Sequence, residues 1–129
     1  PGARLINLAS ASAIYGAADL ASYSATKFAV RGLTEALDLE WRAHGIGVCD
    51  IWPIFVRTPM VDGLSTGSMK SMGVRLEAAD VAKVIWKAAT HRGRRVHWRV
   101  GVQTHAMYHA ACLLPDRFNR ALTARLSGH

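Results

Sequence analysis

The sequence predicts an α/β fold built on buried parallel strands, and three observations carry that prediction. Two short apolar runs, Arg4–Leu8 and Ile46–Trp52, have the length of strands, and their near-continuous apolar character is that of strands covered on both faces. Between them, from Ser22 to about His44, apolar residues return at three- and four-residue steps, the period of a helix. A second helical period, Glu77–Thr90, precedes a third candidate strand, Arg95–Val102. Strands alternating with helices of this kind form a parallel sheet with helices on its faces.

Composition agrees. Of 129 residues, 50% are hydrophobic and 19% charged, which suits a globular core and not a disordered chain. No apolar run approaches the ~20 residues of a membrane span. No basic segment followed by an apolar stretch and cleavage site marks a secretory signal. Cys49 and Cys112 lie in apolar surroundings without metal-ligand spacing. Both are expected to be buried free thiols in a reducing compartment, hence a cytoplasmic protein.

Each element has its own support. Gly2 and the small residues Ala9–Ala13 bound the first strand, leaving space for a ligand at its C-terminal end, where open α/β sheets bind ligands. In the long helix, Phe28, Ala29, Gly32, Leu33, Ala36, Leu37 and Trp41 make one apolar face, with Arg31, Glu35, Asp38 and Arg42 opposite. Gly32 within a helix costs about 1 kcal/mol against alanine, so close packing to another backbone is expected there. Gly45 is the helix stop. Val61–Arg75, with Gly63, Gly67 and Gly73, is expected to be flexible, and Met60, Leu64, Met69 and Met72 suit an adaptable apolar pocket or ordinary packing. In the following helix, Val81, Val84, Ile85 and Ala88 face inward. Gln103–Gly128 reads as two helices broken at Pro115, in which His105 and His109 lack a third partner, so no metal is expected.

The chemistry concentrates between Ser10 and Lys27. Ser10 follows the first strand, and thirteen residues later Tyr23-Ser-Ala-Thr-Lys27 opens the helix. In a helix Tyr23 and Lys27 lie one turn apart on one face. Free tyrosine, with a pKa of about 10, is a poor acid–base at neutral pH. An ammonium within about 4–6 Å favours the phenolate, the direction general acid–base catalysis needs.

These residues, within Asn7-Leu-Ala-Ser10-Ala-Ser-Ala-Ile-Tyr-Gly16 and Ser22-Tyr23-Ser-Ala-Thr-Lys27-Phe-Ala-Val-Arg-Gly-Leu-Thr-Glu-Ala-Leu37, resemble the short-chain dehydrogenase/reductase family. The resemblance implies a Rossmann-like doubly wound parallel sheet, of which this chain is the C-terminal half. Residues 1–60 are then a catalytic strand–helix–strand, 61–76 a substrate loop, and 77–129 the C-terminal helix, strand and tail. It also implies NAD or NADP as cofactor and an alcohol or a ketone/aldehyde as substrate. Tyr23 would pass the proton, Lys27 would support it and bond the nicotinamide ribose, and Ser10 would fix the substrate oxygen. Pro53, Val56 and Thr58 match the family's nicotinamide-binding loop, but Ile54 stands where glycine is usual and does not easily take positive φ. The helix Ser22–His44 implies a homodimer or homotetramer.

The family's Gly-rich cofactor turn, its Asn-Asn-Ala-Gly segment and a further catalytic asparagine are not in this stretch. The chain by itself is therefore expected to be a fragment inactive alone, whose first strand has an unpaired edge. Two other classes are alternatives: a catalytically silent dimerisation or binding module, and a nucleic-acid binder. For the latter, the net charge of +7 and the run His91-Arg-Gly-Arg-Arg-Val-His-Trp-Arg99 are the relevant features. A solvated loop before the third strand is the preferred reading of that run, so no nucleic-acid partner is expected.

Overall fold

The computed structural model describes residues 2–63 and 65–129, and the backbone alone of Met60 and Asp62. A three-stranded parallel sheet forms the centre, in the order β1 (Arg4–Leu8), β2 (Gly47–Trp52), β5 (His97–Arg99). Arg4 to Leu8 run in register with Gly47 to Ile51, and Asp50 to Trp52 with His97 to Arg99. The helix α1 (Ala21–Glu40) crosses from β1 to β2, and α4 (Ala78–Thr90) leads to β5. As expected, β1 is an edge strand among the described residues. The third strand is shorter than expected, because Gly101 turns the chain into α5 (Val102–Leu113).

Strand alternation assigns the two faces of β2. Cys49 and Ile51 point toward α4, forming a core with Ala88, Trp98 and Val100, against which Ile6, Val81, Val84 and Ile85 pack. This is the inward set read from the periodicity. A reciprocal cap begins α4: the Glu77 side chain accepts from the third residue's N–H, and Asp80 accepts from Glu77 N at 3.0 Å.

Val48, Asp50 and Trp52 face α1, and here the pattern misled. The side of α1 turned to the sheet carries Ser24, Lys27, Arg31, Thr34 and Asp38, and Asn7 Nδ2 donates to Thr34 Oγ1 at 2.9 Å. The apolar face is outward: Phe28 is 42% and Leu33 54% exposed. A Cβ on Gly32 would meet nothing within 4 Å, so no backbone lies close to it in this chain. After Trp41–His44, a short 3-10 turn, Gly45 stops the helix in the left-handed region at φ 68°.

The segment expected to be flexible is largely built into the body. It contains α2 (Pro59–Asp62), α3 (Gly67–Met72) and β4 (Leu76–Glu77), which pairs with β3 (Val56–Arg57). Thr66 caps α3 by accepting from Met69 N at 3.3 Å. The helix is then fastened to the end of α6 (Asp116–Ser127): Ser68 and Ser127 hydroxyls lie 3.1 Å apart, and Ser71 Oγ donates to Leu126 O at 2.8 Å. Met60 as a pocket side chain, and Leu64 altogether, fall outside the described residues. The two tail helices break at Pro115 as read. Cys49 is buried but Cys112, on the outer side of α5, is exposed, which corrects the expectation of two buried thiols.

Candidate active site

Two backbone bonds bring the loop after β1 alongside the exit of β2: Ala9 N donates to Ile51 O at 3.0 Å and Ala11 N to Pro53 O at 2.8 Å. Ser10 begins the 3-10 turn Ala11–Ala13. Its hydroxyl accepts from Ser12 N at 3.2 Å and donates to Pro53 O at 3.5 Å. Ser10 is thus a turn-capping serine at 8% exposure, and it also faces a cleft.

That cleft, of about 400 Å³, opens at the C-terminal ends of β1 and β2. Ser10, Tyr23, Pro53, Val56 and Thr58 all line it, so five of the six residues singled out from the sequence meet in one place. Tyr23 stands at the mouth, 38% exposed. Lys27 is the sixth and stands behind the tyrosine instead of lining the cleft. Its Nζ lies 5.4 Å from the Tyr23 ring centroid and donates to Leu8 O at 3.0 Å. The helical spacing delivers the pair, and the strand's last carbonyl fixes the ammonium.

Ile54 keeps an ordinary backbone and is buried. With Phe55 and Leu20 it gives the cleft an apolar wall. Val56 belongs to β3, whose partner strand ties the exit loop down, and Thr58 Oγ1 donates to Val56 O at 3.4 Å. Met69 and Met72 do not line the cleft; of the 61–76 segment only Val61 does, among the described residues. Sequence reading missed Tyr15, Leu20 and Phe55 as lining residues. Tyr15 sat inside the Ser10–Gly16 stretch without a role; its phenol is pushed up to about 12 by burial, which keeps it neutral.

Beneath the site lies a second unforeseen arrangement. Asp50 is 0% exposed in the middle of β2, and its Oδ1 lies 2.7 Å from His97 Nδ1. The other ring nitrogen is 3.2 Å from Glu35 Oε1, to which Arg31 Nε donates at 2.8 Å. Arg31 Nη1 continues to Ala13 O at 3.1 Å, at the end of the turn that Ser10 caps. Arg31 and His97 also flank the Trp52 ring, at 5.0 and 4.5 Å. An aspartate inside an apolar strand was the available signal, since a buried carboxylate requires a partner.

The chain is similar in sequence and in fold to known proteins. A family model described as short chain dehydrogenase matches residues 1–69. A 3-alpha-(or 20-beta)-hydroxysteroid dehydrogenase of Mycobacterium tuberculosis is 37% identical over 82 residues, 63% of this chain and 32% of that protein. A diacetyl reductase ((S)-acetoin forming) of Staphylococcus aureus is 35% identical over 72 residues, 56% of this chain and 28% of that protein. In three dimensions, a short chain dehydrogenase from Burkholderia cenocepacia in complex with NADP shares the fold with a TM-score of 0.76 at 20% identity, over 95% of this chain and 48% of that one. Acetoin dehydrogenase from Enterobacter cloacae gives 0.61 at 26%, over 80% of this chain and 44% of that one. The chain spans about a third of the length of these curated relatives and about half that of the solved structures. With the family model covering more than half of its residues and the fold shared, the chain belongs to the short-chain dehydrogenase family.

Proposed function

We propose that the full protein is an NAD(P)-dependent oxidoreductase interconverting an alcohol and a ketone or aldehyde, with Ser10, Tyr23 and Lys27 as its catalytic residues. The observation that carries this is the convergence of Ser10 and Tyr23 on one apolar cleft, with the Lys27 ammonium 5.4 Å from the tyrosine ring. Ser10 Oγ holds the substrate oxygen, which needs it to exchange its weak 3.5 Å bond to Pro53 O for one to substrate. Tyr23 passes the proton to or from that oxygen, and the charge of Lys27 favours the phenolate as the proton leaves.

The residues fit a nicotinamide. Pro53, Val56 and Thr58, with buried Ile54, offer an apolar wall for a flat ring. An ammonium has three donors; Leu8 O takes one of Lys27's, leaving two for ribose hydroxyls. The bound NAD or NADP supplies the hydride chemistry. Residues 61–76 belong to the same catalytic domain as the site, and among the described residues Val61 is their contribution to the cleft. The relatives' names, a hydroxysteroid dehydrogenase and a diacetyl reductase, support the alcohol–carbonyl class and not one substrate.

The outward apolar face of α1 supports a homodimer or homotetramer formed through that helix. Free Cys49 and Cys112 support a reducing, cytoplasmic location. Among the described residues no helix is long and apolar enough to cross a membrane.

The test is dinucleotide binding and turnover by the full-length protein. NADH or NADPH fluorescence titration is expected to saturate, and a panel of small ketones and alcohols is expected to change cofactor absorbance. Failure to bind either dinucleotide rejects the oxidoreductase reading.

A further inference from the structure

The structure holds a second, larger cavity beside the catalytic cleft, of about 800 Å³. It lies between the start of α1 and α6. Small side chains such as Ala21, Ala25 and Ala124 line it, together with Asp116, Asn119, Arg120, Thr123 and His129. Among the described residues, Tyr15 is the one that lines both spaces. No hydrogen bond ties its phenol to another described group, and burial keeps that phenol neutral.

Volume decides what the pair of spaces can take. Ligand pockets run from roughly 300 to 1,000 Å³, so the 400 Å³ cleft is at the small end. It must also admit the nicotinamide end of the cofactor, leaving little room beyond the reacting carbon. Among the described residues, the segment 61–76 adds only Val61 to that cleft, and α3 is held against α6. Room for a substrate body therefore lies past Tyr15 and not under the 61–76 segment.

The geometry points to an elongated alcohol or ketone with an apolar body as substrate, its reacting oxygen at Ser10 and Tyr23 and its body passing Tyr15 into the larger cavity, along Ala21, Ala25 and Ala124. Tyr15 is the specificity-determining residue at the neck, and Ala124 marks the far space. The inference rests on the dehydrogenase reading for its chemistry but not for its binding claim.

The experiment uses full-length protein and straight-chain methyl ketones of four to twelve carbons, with kcat/KM measured against length. Wild type is expected to gain with length. Ala124→Phe fills the far space without touching the cleft. It should lower kcat/KM for the twelve-carbon ketone by about tenfold or more, while the four-carbon ketone is unchanged. Tyr15→Trp, which narrows the neck, should lower kcat/KM more for the twelve-carbon than for the four-carbon ketone and serves if Ala124→Phe does not fold. Tyr15→Ala should favour the longest ketones.

A thermal shift titration with the twelve-carbon ketone reads binding without turnover. A saturable rise in wild type that Ala124→Phe or Tyr15→Trp removes supports the inference even where no ketone is reduced, an outcome that rejects the dehydrogenase reading alone. No rise in wild type, or identical length profiles in wild type and both filling variants, overturns the inference.

Discussion

Asp50 and its neighbours show how much depends on single side chains. A fully buried carboxylate in a strand costs free energy unless paired, and His97 Nδ1 at 2.7 Å is the partner Asp50 has; its Oδ2 is left without one among the described residues. His97→Ala in the full-length protein strands the charge and should destabilise it by about 3–5 kcal/mol. Asp50→Asn retains a hydrogen-bonding group without the charge and should cost less. Urea denaturation of both variants compares them, and equal losses would contradict the stranded charge as the cause. Glu35, in the same chain of contacts, has its carboxyl held below the usual glutamate range, first by the Arg31 hydrogen bond and also by the charges of Arg31 and His97. A depressed carboxyl contributes stability that is complete above its unfolded value, about 4.3, and lost as pH falls through the folded one. Relative to wild type, Glu35→Gln should therefore lose less stability on acidification below about pH 4.3. The difference should be small because Glu35 is half exposed. Melting temperatures across that pH range measure it.

At the scale of elements, periodicity located the helices but did not say what each face meets. The start of α1, its Gly45 stop and the inward set of α4 were legible because local chemistry sets them. The outward Phe28–Leu33 face was not, because an apolar stripe reads alike whether it covers the chain's own sheet or another surface. What α1 turns to the sheet is polar, since Asn7 and His97 supply partners for Thr34 and Glu35. The 61–76 segment was read from its glycines as flexible. At Gly67 the glycine instead permits close approach: a Cβ would run into Ser127 O. Gly67→Ala should loosen α3 from α6 at a cost of about 1–3 kcal/mol, seen as a lower melting temperature and faster proteolytic nicking of 61–76. An unchanged melting temperature and nicking rate would mean that α3 does not depend on that contact.

For the whole molecule, the candidate site was more legible than the packing around it. Ser10, Tyr23 and Lys27 are placed by a strand end, a turn and one helical step, all local. The polar network and the cavity beyond Tyr15 require α1, β5 and α6 to meet, and sequence spacing does not report that. The outward face of α1 also leads to a prediction. Leu33→Glu, at a 54% exposed position, should leave the protomer folded and convert the proposed oligomer to monomers in size-exclusion chromatography with light scattering. An unchanged mass would move the interface elsewhere.

We propose that Tyr23 passes the proton within a unit of Ser10, Tyr23 and Lys27. Tyr23→Phe in the full-length protein, with turnover and dinucleotide affinity measured together, decides this. Removing the phenolic oxygen should lower kcat by at least about 10²-fold while NAD(P)H binds as in wild type. Turnover near the wild-type rate would contradict the assignment of Tyr23 as the proton carrier.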